Sequence, residues 1–324
     1  AYRNEISPRQ YIFRMREFTQ AEAQLFIQGE TKNDYAPFES VADERVPALS
    51  SQSQEKDGKV ETLTLQECIS KGHLKNKAYA WALYHTYDLF VKMGVPGERI
   101  RLRQHLPTER AFYAEDAWDI EINFNTLGWS EVCGVHDRTD YDLKQHETFS
   151  KKQLTTTLAD GTKVRPHVIE IAFGVDRPLF ALLDLYYDKK DEAEGKTMFR
   201  IPYAMSPIHV AVLPLMKKDD LVAMAKDVHN QLATEFTAKY DETQSIGKRY
   251  LRANEDGIPL CVTVDYDSLA NKDVTIRDRD SEKQIRVPVS ELAARLRRLI
   301  NGDEKITGTN HDNVNWREKL DCPR

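Results

Sequence analysis

Residues 1–22 read AYRNEISPRQYIFRMREFTQAE, and the order of their charges decides how the rest of the chain is read. Arg3, Arg9, Arg14 and Arg16 stand close together, with Glu5, Glu17 and Glu22 among and just beyond them. On a β hairpin the two-residue period puts Arg3 and Glu5 on one face, and Arg14 and Arg16 on the face of the returning strand. Arginines gathered on one face suit a polyphosphate, because the guanidinium fork bonds phosphate oxygens in pairs. The carboxylates could receive an amine or a metal ion. Taken alone, the same pattern also describes a solvated, salt-bridged hairpin, since charge runs usually lie at the surface.

Working outward, residues 11–28 suit a long strand or a strand leading into a helix. The polar stretch 29–60 suits a loop or surface insertion. From Leu65 to Met93 apolar residues recur at helical spacing, and Gly94, Pro96 and Gly97 break the run. Residues 98–106 and 117–135 have strand patterning, with Trp118 and Trp129 expected in the core. Residues 143–165 read as a polar excursion with a hairpin turn at Ala159-Asp160-Gly161. Residues 167–187 read as an apolar strand running into a helix. A boundary is expected within 186–206, around the charged run YDKKDEAEGK and Pro202. Beyond it strands and helices alternate: HVAVLPL, KKDDLVAMAKDVHNQLATEF, TAKYDE, SIGKRYLRANEDG, LCVTVDYD, the hairpin DVTIRDRD–KQIRVPV, and the capped helix SELAARLRRLING. That alternation predicts a mixed sheet flanked by helices, an α/β domain over 201–303, ahead of a polar tail at 304–324.

The 324 residues suffice for two domains, and 40% hydrophobic content is ordinary for a globular chain. No stretch approaches the roughly 18 consecutive apolar residues that span a bilayer, so no membrane partner is expected. A net charge of −6 argues against a generally nucleic-acid-coating protein, while leaving room for local basic patches. Cys68, Cys133, Cys261 and Cys322 form no CxxC pair. Reduced thiols, a cytoplasmic setting and neither zinc cysteines nor a disulfide framework are therefore expected. The helix end bearing Lys248, Arg249 and Arg252 reads either as a solvated basic turn or as a phosphate-binding patch.

Tyr2-Arg3-Asn4-Glu5 followed by Arg14-Met15-Arg16-Glu17-Phe18 resembles motif 2 of the class II aminoacyl-tRNA synthetases. The longer strings RNEISPR and REFTQAE resemble the glycyl-tRNA synthetases of archaeal and eukaryotic type. PHVIEIAFGVDRPLFALL, with Gly174 and Arg177, is similar to motif 3, and DETQSIGKRYLRANEDGIP and VTIRDRDSEKQIRVPVSEL are similar to the same family's anticodon-binding domain. The resemblance implies an α+β fold. A class II antiparallel sheet core would run over residues 1–200, with an insertion at about 29–115, and the anticodon-binding domain would follow.

It also implies the chemistry: ATP-dependent activation of glycine and its transfer to tRNA(Gly), with ATP and Mg2+ in the site. Arg3 and Arg177 would be catalytic. Arg3, Asn4, Glu5, Arg14, Met15, Glu131, Val132 and Arg177 would bind ATP, with Glu5 at the adenine amino group. Glu22, Glu170, Ile171 and Ala172 would bind glycine, and Glu131 and Glu170 the metal ion. Arg138, Lys248, Arg249 and Arg252 would meet tRNA. His105 and His136 are expected to be structural, because the attacking carboxylate is already ionised and needs no base.

Three departures are visible. Motif 1, which builds the family's dimer interface, would lie before Ala1, so a fragment of a longer, homodimeric protein, or a split subunit, is expected. The family has serine before its Phe-Gly, where this chain has Ala172. The tail after Ile306 has no counterpart. A synthetase-like protein that binds nucleic acid without catalysis, such as a polymerase accessory subunit, is the alternative reading.

Overall fold

The computed structural model describes residues 1–7, 11–191 and 196–307. Arg9, the middle of the charged run, Cys322 and nearly all of the expected tail lie outside the described residues. The chain forms two compact units, Ala1–Leu185 and Tyr186–Arg324.

The first unit is built on β1 (Gln20–Ile27), β2 (Arg45–Leu49), β3 (Glu61–Thr64), β4 (Ile100–Gln104), β5 (Asp116–Phe124), β6 (Gly128–Asp137), the short hairpin β7 (Thr156–Thr157) and β8 (Lys163–Val164), and β9 (His167–Gly174). Seven of these form one sheet in the order β1-β9-β6-β5-β4-β2-β3. Its neighbouring strands are antiparallel apart from the β2–β4 pair. The helices are α1 (Ser51–Lys56), α2 (Leu65–Ser70), α3 (Lys77–Lys92), α4 (Tyr141–Ser150) and α5 (Asp176–Tyr186).

One face of the sheet is apolar because α3 covers it. Ala78, Ala80 and Ala82 are buried and small, so the helix can lie close to its neighbours. Asn76 starts α3 by accepting from the Tyr79 amide at 2.8 Å. The Tyr79 hydroxyl then donates to Val135 O at 2.7 Å, and Phe90 meets Phe173 edge-on at 6.3 Å. Trp118, Ile120, Ile122 and Ile169 complete a core in which each large apolar side chain contributes about 1.5–3 kcal/mol.

Several expectations change. Residues 29–60 are not a loop: they form short 3-10 turns, α1 and β2, and the span 29–115 supplies three strands of the sheet. Lys32, in that stretch, is the reason the span is tied in. Its buried Nζ donates to Asp137 at 2.7 and 2.8 Å and to Glu115 at 2.9 Å. The polar excursion at 143–165 contains α4 as well as the β7–β8 hairpin, whose turn carries Gly161 at φ +86°. Trp129 is not core; it is 37% exposed, with the Arg101 guanidinium 4.4 Å over its ring.

The second unit holds the ribbon β10 (Tyr187–Asp191) and β11 (Lys196–Phe199), then β12 (Val210–Pro214), β13 (Ala238–Tyr240), β14 (Leu260–Val264), β15 (Asp273–Asp278) and β16 (Gln284–Pro288). The last five form a sheet in the order β13-β12-β14-β15-β16. Its first three strands are parallel and the rest antiparallel, a mixed sheet. Helices α6 (Asp219–Leu232), α7 (Ile246–Glu255), α8 (Tyr266–Asn271) and α9 (Leu292–Asn301) flank it. Val210, Val212, Val262 and Val264 pack with Leu221, Val228, Leu296 and Leu299 in its main core. Gly257 and Gly302 end α7 and α9 at φ +75° and +79°, where a side chain would be strained. The cap of α9 is at its C-terminal end, on Gly302; at the other end Ser290 lies in a preceding 3-10 turn and Glu291 makes no side-chain cap bond.

Candidate active site

The opposite face of the first unit's sheet is polar and carries a hollow of about 300 Å³. Arg3, Glu5, Arg14, Met15 and Glu22 line it from the N-terminal segment, Glu131, Val132, His136 and Arg138 from β6 and its end, and Glu170, Ala172 and Arg177 from β9 and α5. Strand register explains the convergence. Glu22 pairs with Ala172, and Ala172 pairs with Gly134, so three antiparallel strands present these residues in one row. Glu170 and His136 form the adjoining row.

Glu131 joins through a local irregularity. Ile120 pairs with Cys133, whereas Glu121 pairs with Glu131, leaving Val132 as an extra residue in β6. Such a bulge re-aims side chains, and both Glu131 and Val132 line the hollow. Nothing in residue spacing announces it.

The N-terminal segment closes one side by a short antiparallel contact. Tyr2 bridges Glu17, the Arg3 amide donates to Arg16 O at 2.8 Å, and the Phe18 amide donates to Ala1 O at 3.1 Å. The Arg3 guanidinium sits 5.3 Å over the Phe18 ring, and Arg14 lies 3.5 Å from Glu5 while half exposed. Arg177, at the start of α5, donates to Glu131 Oε1 at 3.1 Å, to the Glu131 carbonyl at 3.1 Å and to Phe13 O at 2.7 Å. Desolvation against the wall, with the Asp119 carboxylate nearby, raises the Glu131 carboxyl; Arg177 opposes that shift.

Arg138 is held more tightly. It donates to Asp142 at 2.6 Å and to Glu170 Oε1 at 2.8 Å, and its guanidinium lies 4.8 Å over Tyr113. Glu170 is thereby committed on one oxygen. Asn4 and Ile171 do not line the hollow: Asn4 is exposed, and strand alternation turns Ile171 to the face opposite Glu170 and Ala172.

In the second unit, the basic cluster separates. Lys248 is exposed. Arg249 is 2% exposed and donates to the carbonyls of Pro214, Asp241, Leu215 and Gln244. Arg252 binds Asp241, the Gln244 side chain and Thr243. Both arginines hold loop 241–244 against α7; burial corrects the expectation that Arg249 meets tRNA, while Arg252 keeps about a third of its side chain exposed.

Residues outside the original site set also line the hollow, among them Phe13, Phe18, Gln20, Tyr113, Gly134, His136 and Asp176. His136 and Asp176 carried a signal, as polar residues at strand and helix-start positions. The aromatic and glycine linings carried none.

A mainly antiparallel sheet with an arginine–carboxylate hollow, followed by a mixed α/β unit, is the fold of the class II aminoacyl-tRNA synthetases. A solved prolyl-tRNA synthetase from Cryptosporidium parvum, complexed with L-proline and AMP, shares this fold at TM-score 0.59 and 14% identity, over 93% of this chain and 51% of that one. Residues 209–299 match the family model described as "Anticodon binding domain". Within the class, the chain is similar to glycine–tRNA ligases. It is 34% identical to those of Thermococcus kodakarensis and Methanothrix thermoacetophila, across 93% of this chain and 65% of each relative. It is 35% identical to that of Pyrococcus horikoshii, across 93% of this chain and 66% of the relative. The chain thus spans about 65% of the length of the curated relatives it matches.

Proposed function

We propose that this chain carries the ATP-dependent glycine-activating site and the anticodon-reading unit of a glycine–tRNA ligase. The observation that supports the reading best is the meeting of Arg3, Arg14 and Arg177 with Glu22 and Glu170 around one hollow, although Arg3 and Arg177 lie at opposite ends of the first unit's sequence. A glycine carboxylate oxygen attacks the α-phosphorus of ATP, a new O–P bond forms, and the bond to the β-phosphate oxygen breaks. Pyrophosphate leaves and glycyl-adenylate remains. A terminal ribose hydroxyl of tRNA(Gly) then attacks the glycyl carbonyl, the acyl–phosphate bond breaks, and AMP leaves.

In this reading Arg3 neutralises charge at the α-phosphate, and Arg14 and Arg177 hold the β- and γ-phosphates. Glu5 accepts from the adenine amino group. Glu22 pairs with the glycine ammonium beside Ala172, and steric closure there excludes a substrate methyl group. Mg2+ fits the donors present, since Glu131 and the second oxygen of Glu170 are hard carboxylate ligands lining the hollow, and such an ion needs only one or two of them beside the phosphates. When bound, it would neutralise phosphate charge. Lys248, exposed on α7, meets tRNA phosphates, with the part-exposed Arg252 beside it. Homodimerisation of the full protein belongs to the same proposal.

Glycine-dependent ATP–pyrophosphate exchange tests it. Exchange is expected with glycine and to be lost in Arg177→Ala; exchange indifferent to that substitution, or stimulated equally by alanine, would overturn the assignment. Filter binding to an unacylated tRNA(Gly) transcript tests the second unit.

A further inference from the structure

The same polar sheet face holds a side-chain cluster that the adenylation reading leaves unused. His105 follows β4, Asp119 lies midway along β5, and His136 lies in β6. Register brings them together: Asp119 pairs with Gly134, Ala117 pairs with His136, and the His105 amide donates to Ala117 O at 3.0 Å. One donor atom from each residue lies within 4.8 Å of the other two. His105 Nε2 is 2.9 Å from Asp119 Oδ2, and the two imidazole rings meet edge to face with centroids 5.5 Å apart.

Three further observations point to a ligand here. His136 Nε2 is buried without a hydrogen-bond partner among the described residues, while the His105 nitrogen facing the cluster is Nε2, against Asp119. Buried polar atoms are normally satisfied, so an orphaned imidazole nitrogen beside a carboxylate marks a position where something can bind. Gly134 keeps that position open: a Cβ there would stand 3.4 Å from His136 Cε1 and Nε2 and 3.7 Å from Asp119 Oδ1, filling the space between imidazole and carboxylate. The other cluster of this composition, Glu115, Asp137 and His167, contrasts with it, because the Lys32 ammonium already sits against both of its carboxylates.

We propose that His105, Asp119 and His136 form a binding site for a zinc-type divalent transition-metal ion, with its open coordination position facing the hollow. Two imidazoles and one carboxylate are the donor set that such ions take, whereas Mg2+ and Ca2+ prefer oxygen alone. Ligand atoms about 2.0–2.1 Å from a shared tetrahedral ion lie about 3.3–3.4 Å apart. The 2.9 Å His105–Asp119 pair therefore opens slightly on binding, and the three donors, all within 4.8 Å, close around the ion. Modest side-chain rotation brings the third donor within the same radius. His136 is the ligand that also lines the hollow, so water or a substrate group would complete the coordination from that side. The site adjoins Glu131 but shares no ligand with the carboxylates proposed for Mg2+, and it stands or falls independently of the ligase reading.

The test is titration of the chelator-treated chain with Co2+, followed by visible absorption, and with Zn2+ by calorimetry. One equivalent is expected to bind with the intense bands of a low-coordinate Co2+ site. His136→Phe should remove the bands and weaken Zn2+ binding by about 100-fold or more. His146→Ala, on the exposed side of α4, should change neither. Should His136→Phe fail to fold, Asp119→Asn decides, with at least about 10-fold weakening expected. Absence of the bands in the wild-type chain, or unchanged stoichiometry and affinity in the folded variants, would overturn the site.

Discussion

The hollow of the first unit and the α7 region of the second use the same side chain in opposite ways. Arg3 and Arg14 are exposed at the hollow, and Arg14 has a loose ionic neighbour in Glu5. Arg177 is anchored by Phe13 and Glu131 yet still lines the open space. Arg249 and Arg279, in the second unit, are 2% exposed and turned into main-chain carbonyls. Burial lowers the Arg249 pKa, as desolvation of a cation must. An arginine with donors facing solvent can serve a ligand; one whose donors close a loop serves the fold.

That contrast can be broken by substitution. Arg177→Ala should lower glycine-dependent exchange about 100–1,000-fold, the scale of removing one charge-stabilising donor, while the unfolding midpoint of the first unit hardly moves. A large fall in stability with residual exchange would put Arg177 in the second category. Arg249→Met should do the reverse. Leaving four carbonyls without their donor should destabilise the second unit by about 3 kcal/mol in urea unfolding. Loss of tRNA affinity at unchanged stability would return Arg249 to the binding surface.

Two smaller effects sharpen the comparison. Ala172→Ser restores a hydroxyl on the row shared with Glu22, and one net hydrogen bond should lower the KM for glycine by about 2–10-fold. An unchanged or raised KM would show that Ala172 does not face the bound amino acid. Lys248→Ala should alter stability by less than about 0.5 kcal/mol. In the same variant the slope of log tRNA affinity against log salt should fall by about 1, the mark of one lost phosphate contact. An unchanged slope would leave the exposed cation of α7 without a nucleic-acid role.

Much of this was readable in residue order, and the failures are specific. Period-2 patterning located β5, β6 and β9, and glycines marked the ends of α7 and α9 because only they tolerate positive φ cheaply. The burial of Arg249 had a local signal that charge counting overrode: it stands four residues before the buried Ala253, on the core-facing side of α7. The polar stretch 29–60 misled because its key residue, Lys32, is charged and buried, with partners more than eighty positions away. The same distance hid the His105–Asp119–His136 cluster, whose members look like isolated strand residues until β4, β5 and β6 are aligned.

The sequence alone therefore determined most of the strongly periodic elements, their order, and the motifs that resemble those of the class II synthetases. Those properties follow from backbone preferences and apolar periodicity within windows of ten or twenty residues. Which arginines stay free, how Val132 bulges so that Glu131 reaches the hollow, and which imidazoles are left without partners were decided by tertiary structure. Each depends on the register of antiparallel strands distant in the chain, and register is set by the packing of the whole sheet against α3 rather than by any residue's neighbours.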